Sequence, residues 1–102
     1  MFLEIGPGEG ALTLPLAERC SRVVAVEIDE ELARRLRGVA PRNVEIVTQD
    51  ALAADLRSLV PEGARLAGNL PYYLSSPLLR RFLSLRGHVR DLHVMLQDEV
   101  AR

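Results

Sequence analysis

The chain has no lysine and no tryptophan, and its 102 residues include a single cysteine, Cys20. One thiol excludes an internal disulfide and fits a reducing compartment. Cys20, His88 and His93 do not fall at any zinc-binding spacing, so the expectation is a protein without a metal. No apolar run approaches the roughly 20 residues of a membrane span, and the N-terminus has no basic, apolar and small-residue order of a signal peptide. These absences together predict a cytoplasmic protein away from membranes. The net charge of −1 gives no overall electrostatic footprint for nucleic acid.

Apolar residues make up 48% and charged residues 26%, the balance of a globular domain, and the length allows one domain with a modest core. All thirteen basic residues are arginines, and Arg80, Arg81, Arg86 and Arg90 fall close together. They read either as the solvated face of a helix and its exit loop or as an edge that contacts phosphates. Aromatic residues are scarce, yet both tyrosines, Tyr72 and Tyr73, stand directly behind Asn69-Leu70-Pro71.

Short apolar runs alternate with helical patterns. MFLEI, RVVAVEI, NVEIV, ARLAGNL and DLHVML read as five strands. Helices are expected between Gly10 and Cys20, over EELARRLRGV behind an Asp29 N-cap, over residues 51 to 59, and over PLLRRFLSL after Ser75 or Ser76. Glu31 and Arg35 are spaced to pair on the second helix. Such alternation calls for a doubly wound, mainly parallel α/β sheet. Strands at both chain ends lead us to expect a part of a longer domain.

Four strand ends carry the chemistry. Gly6, Gly8 and Gly10 follow the first strand and let the backbone turn sharply and approach a ligand. Alone, the motif also satisfies a dinucleotide fingerprint. Glu27, at the end of the second strand, reads as an acceptor for ribose hydroxyls or as a surface acid. Asp50 reads as a partner for an adenine amino group or as a helix N-cap. Asn69 ends the fourth strand. In an open α/β sheet the ligand crevice lies at the carboxyl ends of the strands, so these positions converge on one crevice.

LEIGPGEGALT, VVAVEIDEELA, VEIVTQDAL, AGNLPYYLSSPLL and HVMLQDEVA resemble, in order, the motifs of the ribosomal RNA adenine N6,N6-dimethyltransferases, across essentially the whole chain. GPGEGALT and NLPYYLSSP resemble the small-subunit dimethyladenosine transferases more than the methylases of large-subunit RNA. The resemblance implies a Rossmann-like methyltransferase fold that uses S-adenosylmethionine to place two methyl groups on the N6 amine of adenines in small-subunit ribosomal RNA. It implies that Gly6 and Gly8 line the methionine end of the cofactor, Glu27 with Ile28 its ribose, and Asp50 with Ala51 its adenine. Asn69, Leu70, Pro71 and Tyr72 would receive the target base, Asn69 bordering the cofactor as well.

Partners implied are ribosomal RNA or an immature small subunit, met by a monomer. Residues 1–102 would be a partial catalytic domain, without an N-terminal lid segment, the last strands and a C-terminal helical domain. Other readings are a non-catalytic S-adenosylmethionine-binding remnant or interaction module, an adenine-N6 methylase of large-subunit RNA, and an NAD-dependent oxidoreductase. The last gives no reason for Asn-Leu-Pro-Tyr.

Overall fold

A computed structural model describes residues 1–8, 10–71 and 75–97. Its elements in chain order are β1 (Phe2–Ile5), α1 (Thr13–Arg19), β2 (Val23–Glu27), α2 (Glu30–Val39), β3 (Val44–Thr48), α3 (Leu56–Leu59), β4 (Arg65–Pro71), α4 (Ser75–Leu83) and β5 (Asp91–Gln97). The strands form one parallel sheet in the order β3-β2-β1-β4-β5. The order reverses between β1 and β4. That reversal is the topological switch point at which doubly wound sheets open a ligand crevice.

The sequence dictates each face. β2 is an unbroken apolar run up to Glu27 and is buried at all five positions, as a strand covered on both faces requires. Alternate residues of the central strands serve different helices. Leu3, Ile5, Val24, Val26 and Leu66 pack against Leu56 of α3 and Leu78 and Phe82 of α4. On the other face, Ala25 and Ile46 pack against Ala33 and Leu36 of α2. The α2 helix begins where expected, because Asp29 Oδ1 accepts hydrogen bonds from the backbone N–H of Glu31 at 2.9 Å and Leu32 at 3.1 Å. Glu31 also pairs with Arg35, at 3.1 Å, on the exposed side.

One expected helix is shorter. Residues 51–53 turn rather than continue into the helix, and α3 covers only Leu56–Leu59. The Asp50 carbonyl accepts from both Ala53 and Ala54 N–H, closing a single turn. Arg81 of α4 then donates to the carbonyls of Ala51 and Ala54, oxygens that a continuous helix would have used internally. Helix pattern in the sequence gave way to a long-range arginine contact.

Gly10 joins the loop after β1 to α2. Its φ of +93° lies in the region that favours glycine, and a Cβ placed there would meet Leu36 Cδ1 at 2.8 Å. Gly10→Ala is therefore expected to cost about 1–3 kcal/mol. A denaturant midpoint unchanged from the parent would contradict that packing.

Candidate cofactor and base-binding site

The crevice is built from the carboxyl ends of the strands. Register pairs Ile5 with Val26 and with Gly68, and Glu27 with Thr48. One step further along, Gly6, Glu27, Thr48 and Asn69 form a row across β1, β2, β3 and β4. At about 4.8 Å per strand the row spans roughly 14 Å, room for an adenosine with an amino-acid arm. Asp50 lies two residues beyond β3.

Glu27 organises the row. Its side chain is 5% exposed, and each carboxylate oxygen accepts a backbone N–H: Oε1 from Gly8 and Oε2 from Asp29, both at 3.0 Å. The surface-acid reading of Glu27 is thereby excluded. Gly8, at φ +57°, turns its N–H down onto the carboxylate. Each oxygen keeps a lone pair, so Glu27 can hold the loop and still accept from a pair of hydroxyls. Gly6 N–H bonds the Val26 carbonyl at 2.9 Å, and Gln49 N–H bonds the Glu27 carbonyl at 3.1 Å, fastening the neighbouring strand ends.

The remaining cofactor positions flank this centre. Asp50 is exposed, and its Oδ1 accepts from Leu52 N–H at 2.9 Å. It caps a turn instead of the expected helix, and Oδ2 has no partner among the described residues. Ala51 is buried beside it, whereas Ile28 is 65% exposed at the end of β2. Among the described residues, chain neighbours aside, no atom lies within 4 Å of a Cβ built on Gly6 or Gly8. Open glycines, an exposed apolar side chain and two carboxylates with free acceptor capacity suit a nucleoside bearing a charged amino-acid arm.

Three of the residues expected to receive the base lie at the end of β4. Asn69, Leu70 and Pro71 occupy the last three positions of β4, opposite Met95, Leu96 and Gln97. That register brings their backbone to the same end of the sheet as Gly6. Their side chains, and Tyr72 as a whole, lie outside the described residues. A depression of about 240 Å³ lined by Gly8, Leu32, Arg35, Leu36 and Val39 sits behind the glycine loop. It shares only Gly8 with the expected set.

Sequence reasoning missed a second acidic residue. Glu4, in the middle of β1, is 1% exposed, and its Oε1 accepts the Thr13 hydroxyl at 2.5 Å. The available signal was a lone charge inside the apolar run MFLEI. Burial pushes this carboxyl up from 4.5 to about 7; the Thr13 hydrogen bond opposes the rise and the nearby Glu27 charge adds to it. Among the described residues no three His, Cys, Asp or Glu are grouped to hold a metal ion. No described helix is long and apolar enough to cross a membrane.

The family described as ribosomal RNA adenine dimethylase matches residues 1–102. A Cupriavidus necator protein named ribosomal RNA small subunit methyltransferase A is 47% identical over 98% of the chain and 36% of its own length. A Bordetella avium protein of the same name is 50% identical over 97% of the chain and 38% of its own length. The chain thus spans a little over a third of these relatives. Among solved structures, 23S rRNA methyltransferase ErmE superposes with a TM-score of 0.74 at 34% identity, over 99% of the chain and 41% of its own. A dimethyladenosine transferase from Plasmodium falciparum does so with 0.73 at 30% identity, over 98% and 36%. The expected Rossmann-like methyltransferase fold is borne out by these likenesses and by the sheet order.

Two outcomes follow. Glu4 holds a proton in the folded state that the unfolded chain releases, so stability falls as pH rises from about 4.5 to about 7 and is level above that. Glu4→Gln should remove the decline and exceed the parent above neutrality, by at most about 3 kcal/mol; parallel melting curves for both proteins across that range would contradict it. Glu27→Ala leaves the partly buried Gly8 and Asp29 N–H groups without their acceptor and should cost about 1–3 kcal/mol in all. Glu27→Gln keeps one acceptor and should lose less, as thermal melts would show.

Proposed function

Because the chain belongs to the ribosomal RNA adenine dimethylase family, we propose that residues 1–102 are the cofactor-binding core of an S-adenosylmethionine-dependent enzyme that dimethylates the N6 amine of adenines in small-subunit ribosomal RNA. The observation that carries this reading is the row of Gly6, Glu27 and Asn69 across consecutive strand ends, with Asp50 beside it. The names of the bacterial relatives favour the small subunit. The likeness to ErmE supports a second reading, an adenine methylase of large-subunit RNA with the same base-gripping chemistry.

The bound cofactor would supply a methyl group already activated on a sulfonium. Glu27 would accept from its ribose hydroxyls and Asp50 from its adenine amine, while the open loop at Gly6 and Gly8 receives the amino-acid arm. On the substrate side, the amine nitrogen of adenine is a poor nucleophile because its lone pair is delocalised into the ring. The Asn69 side-chain oxygen and the Leu70 or Pro71 carbonyl would accept its two N–H bonds, drawing the lone pair out of the ring and aiming it at the methyl group. Proline fixes the backbone where such a carbonyl must point. Tyr72 would stack on the unstacked base. Catalysis would rest on positioning for in-line transfer rather than on a strong general base.

S-adenosylhomocysteine at about 100 times its dissociation constant should raise the melting temperature by the order of 10 °C. No shift in a cooperatively melting protein would remove Gly6, Glu27 and Asp50 from the site. Asn69→Ala should abolish methyl transfer to small-subunit RNA and leave that shift nearly intact; equal loss of both would sink the role given to Asn69.

A further inference from the structure

Charge is divided unequally along the sheet. Residues 1–56 hold six arginines against ten carboxylates, whereas residues 57–93 hold six arginines against two, Glu62 and Asp91. The total of −1 therefore divides formally, with Glu4 counted as charged, into −4 over residues 1–56, +4 over residues 57–93 and −1 over residues 94–102. Three of the six arginines of the first group pair with carboxylates: Arg22 with Glu45, and Arg34 and Arg35 with Glu31. Those of the second are not neutralised in the same way. Among the described residues only Arg65 of this group has a carboxylate partner, Asp91 at 3.0 Å. Arg57 and Arg81 bond backbone carbonyls, at Ser84 and at Ala51 and Ala54, which leaves their charge unneutralised.

Arg80, Arg86 and Arg90 are exposed. Arg86 and Arg90 make no ion pair among the described residues. The loop that carries them is firmly held. His88 and Val89 N–H groups bond the Leu85 carbonyl at 2.9 and 3.1 Å, Gly63 N–H bonds the His88 carbonyl at 2.6 Å, and Arg90 N–H bonds the Ala64 carbonyl at 2.7 Å. Leu85 beneath them is 3% exposed. Three solvated guanidinium groups are thus presented on a fixed edge, with their cost of ordering the backbone already met by the fold. The edge also has a direction. It starts at α4, which follows the Asn69–Pro71 strand end after a short connection, and runs down α4 by about 1.5 Å per residue to the loop before β5.

We propose that Arg80, Arg86 and Arg90 form a phosphate-binding track for the RNA strand that flanks the target adenine. The inference rests on the RNA-modifying reading above and adds where the strand lies. The acidic β2–β3 side repels the backbone and the arginine edge attracts it, so a strand whose base enters at Asn69 is directed down α4. Guanidinium groups suit the role because their planar donors match phosphate oxygens in pairs. Contacts of this kind position the strand and read no sequence.

The test is fluorescence anisotropy of the 102-residue chain with a fluorescein-labelled RNA stem-loop bearing adenines in its loop, titrated from low to physiological salt. Replacing all three by glutamine (R80Q, R86Q, R90Q) should flatten the slope of log affinity against log salt by about 2–3, at roughly 0.7–0.9 per lost phosphate contact. Glu62→Gln, which removes the edge's other carboxylate, should strengthen binding. R34Q with R35Q, on the acidic side, should leave the slope unchanged. An unaltered slope in the triple variant overturns the track, including in favour of an acidic protein partner. So does an equal loss from R34Q with R35Q, or no RNA binding by the parent at low salt. The S-adenosylhomocysteine melting shift is read in parallel: its absence counts against the cofactor site, whereas its retention with an unaltered slope counts against the track alone.

Discussion

Glu27 spends both carboxylate oxygens on backbone N–H groups, one from Gly8 in the loop after β1 and one from Asp29 at the entry to α2. This pair of bonds ties the loop after β1 and the entry to α2 to the end of β2. The glycine loop is held open over the strand ends, and Asp29 is set where its own carboxylate caps α2. A buried acid survives at this depth because its charge is met by donors on two sides. The loop after β1 and the entry to α2 keep their places because one buried carboxylate braces both.

The neighbouring Glu4 shows the cost of such an arrangement. It sits on β1, the strand adjoining β2, with one hydroxyl donor from Thr13. Burial and the charge of Glu27 both favour its protonated form. The two acids therefore divide the work: the one with two backbone donors supplies the acceptor surface at the crevice, and the one with a single hydroxyl donor links β1 to α1. Thr13 is itself fully buried, so this link is part of the packing between helix and sheet.

The parallel sheet explains why Gly6, Glu27 and Asn69 gather at one end. Every strand delivers its carboxyl terminus to the same edge, and the reversal of order between β1 and β4 leaves a gap there that no crossover helix fills. Polar residues just past the strand ends meet in that gap although they are far apart in sequence. Arg80 and Arg81 lie on α4, and Arg86 and Arg90 in the loop before β5, so the cationic edge is built from a different part of the chain than Glu27 and Asp50.

The strands, three of the four helices, the Asp29 cap and the convergence of Gly6, Glu27, Asp50 and Asn69 were legible in the sequence. They follow from local rules: apolar periodicity, capping chemistry and the fixed polarity of parallel strands. The turn at residues 51–53 was not, because Arg81, some thirty positions away, takes the carbonyls that a helix needed. Nor were the roles of Glu4 and Thr13, since a single charge in an apolar run does not announce its partner. The two readings of Glu27 were decided only when Gly8 and Asp29 were brought onto its oxygens. The clustered arginines were visible from the start, but only tertiary structure sorted those bonded to backbone carbonyls or to Asp91 from those left facing solvent. Sequence alone determines which elements can form and where polar groups can gather. Hydrogen-bond partners and burial depend on contacts across the fold, and no local pattern encodes them.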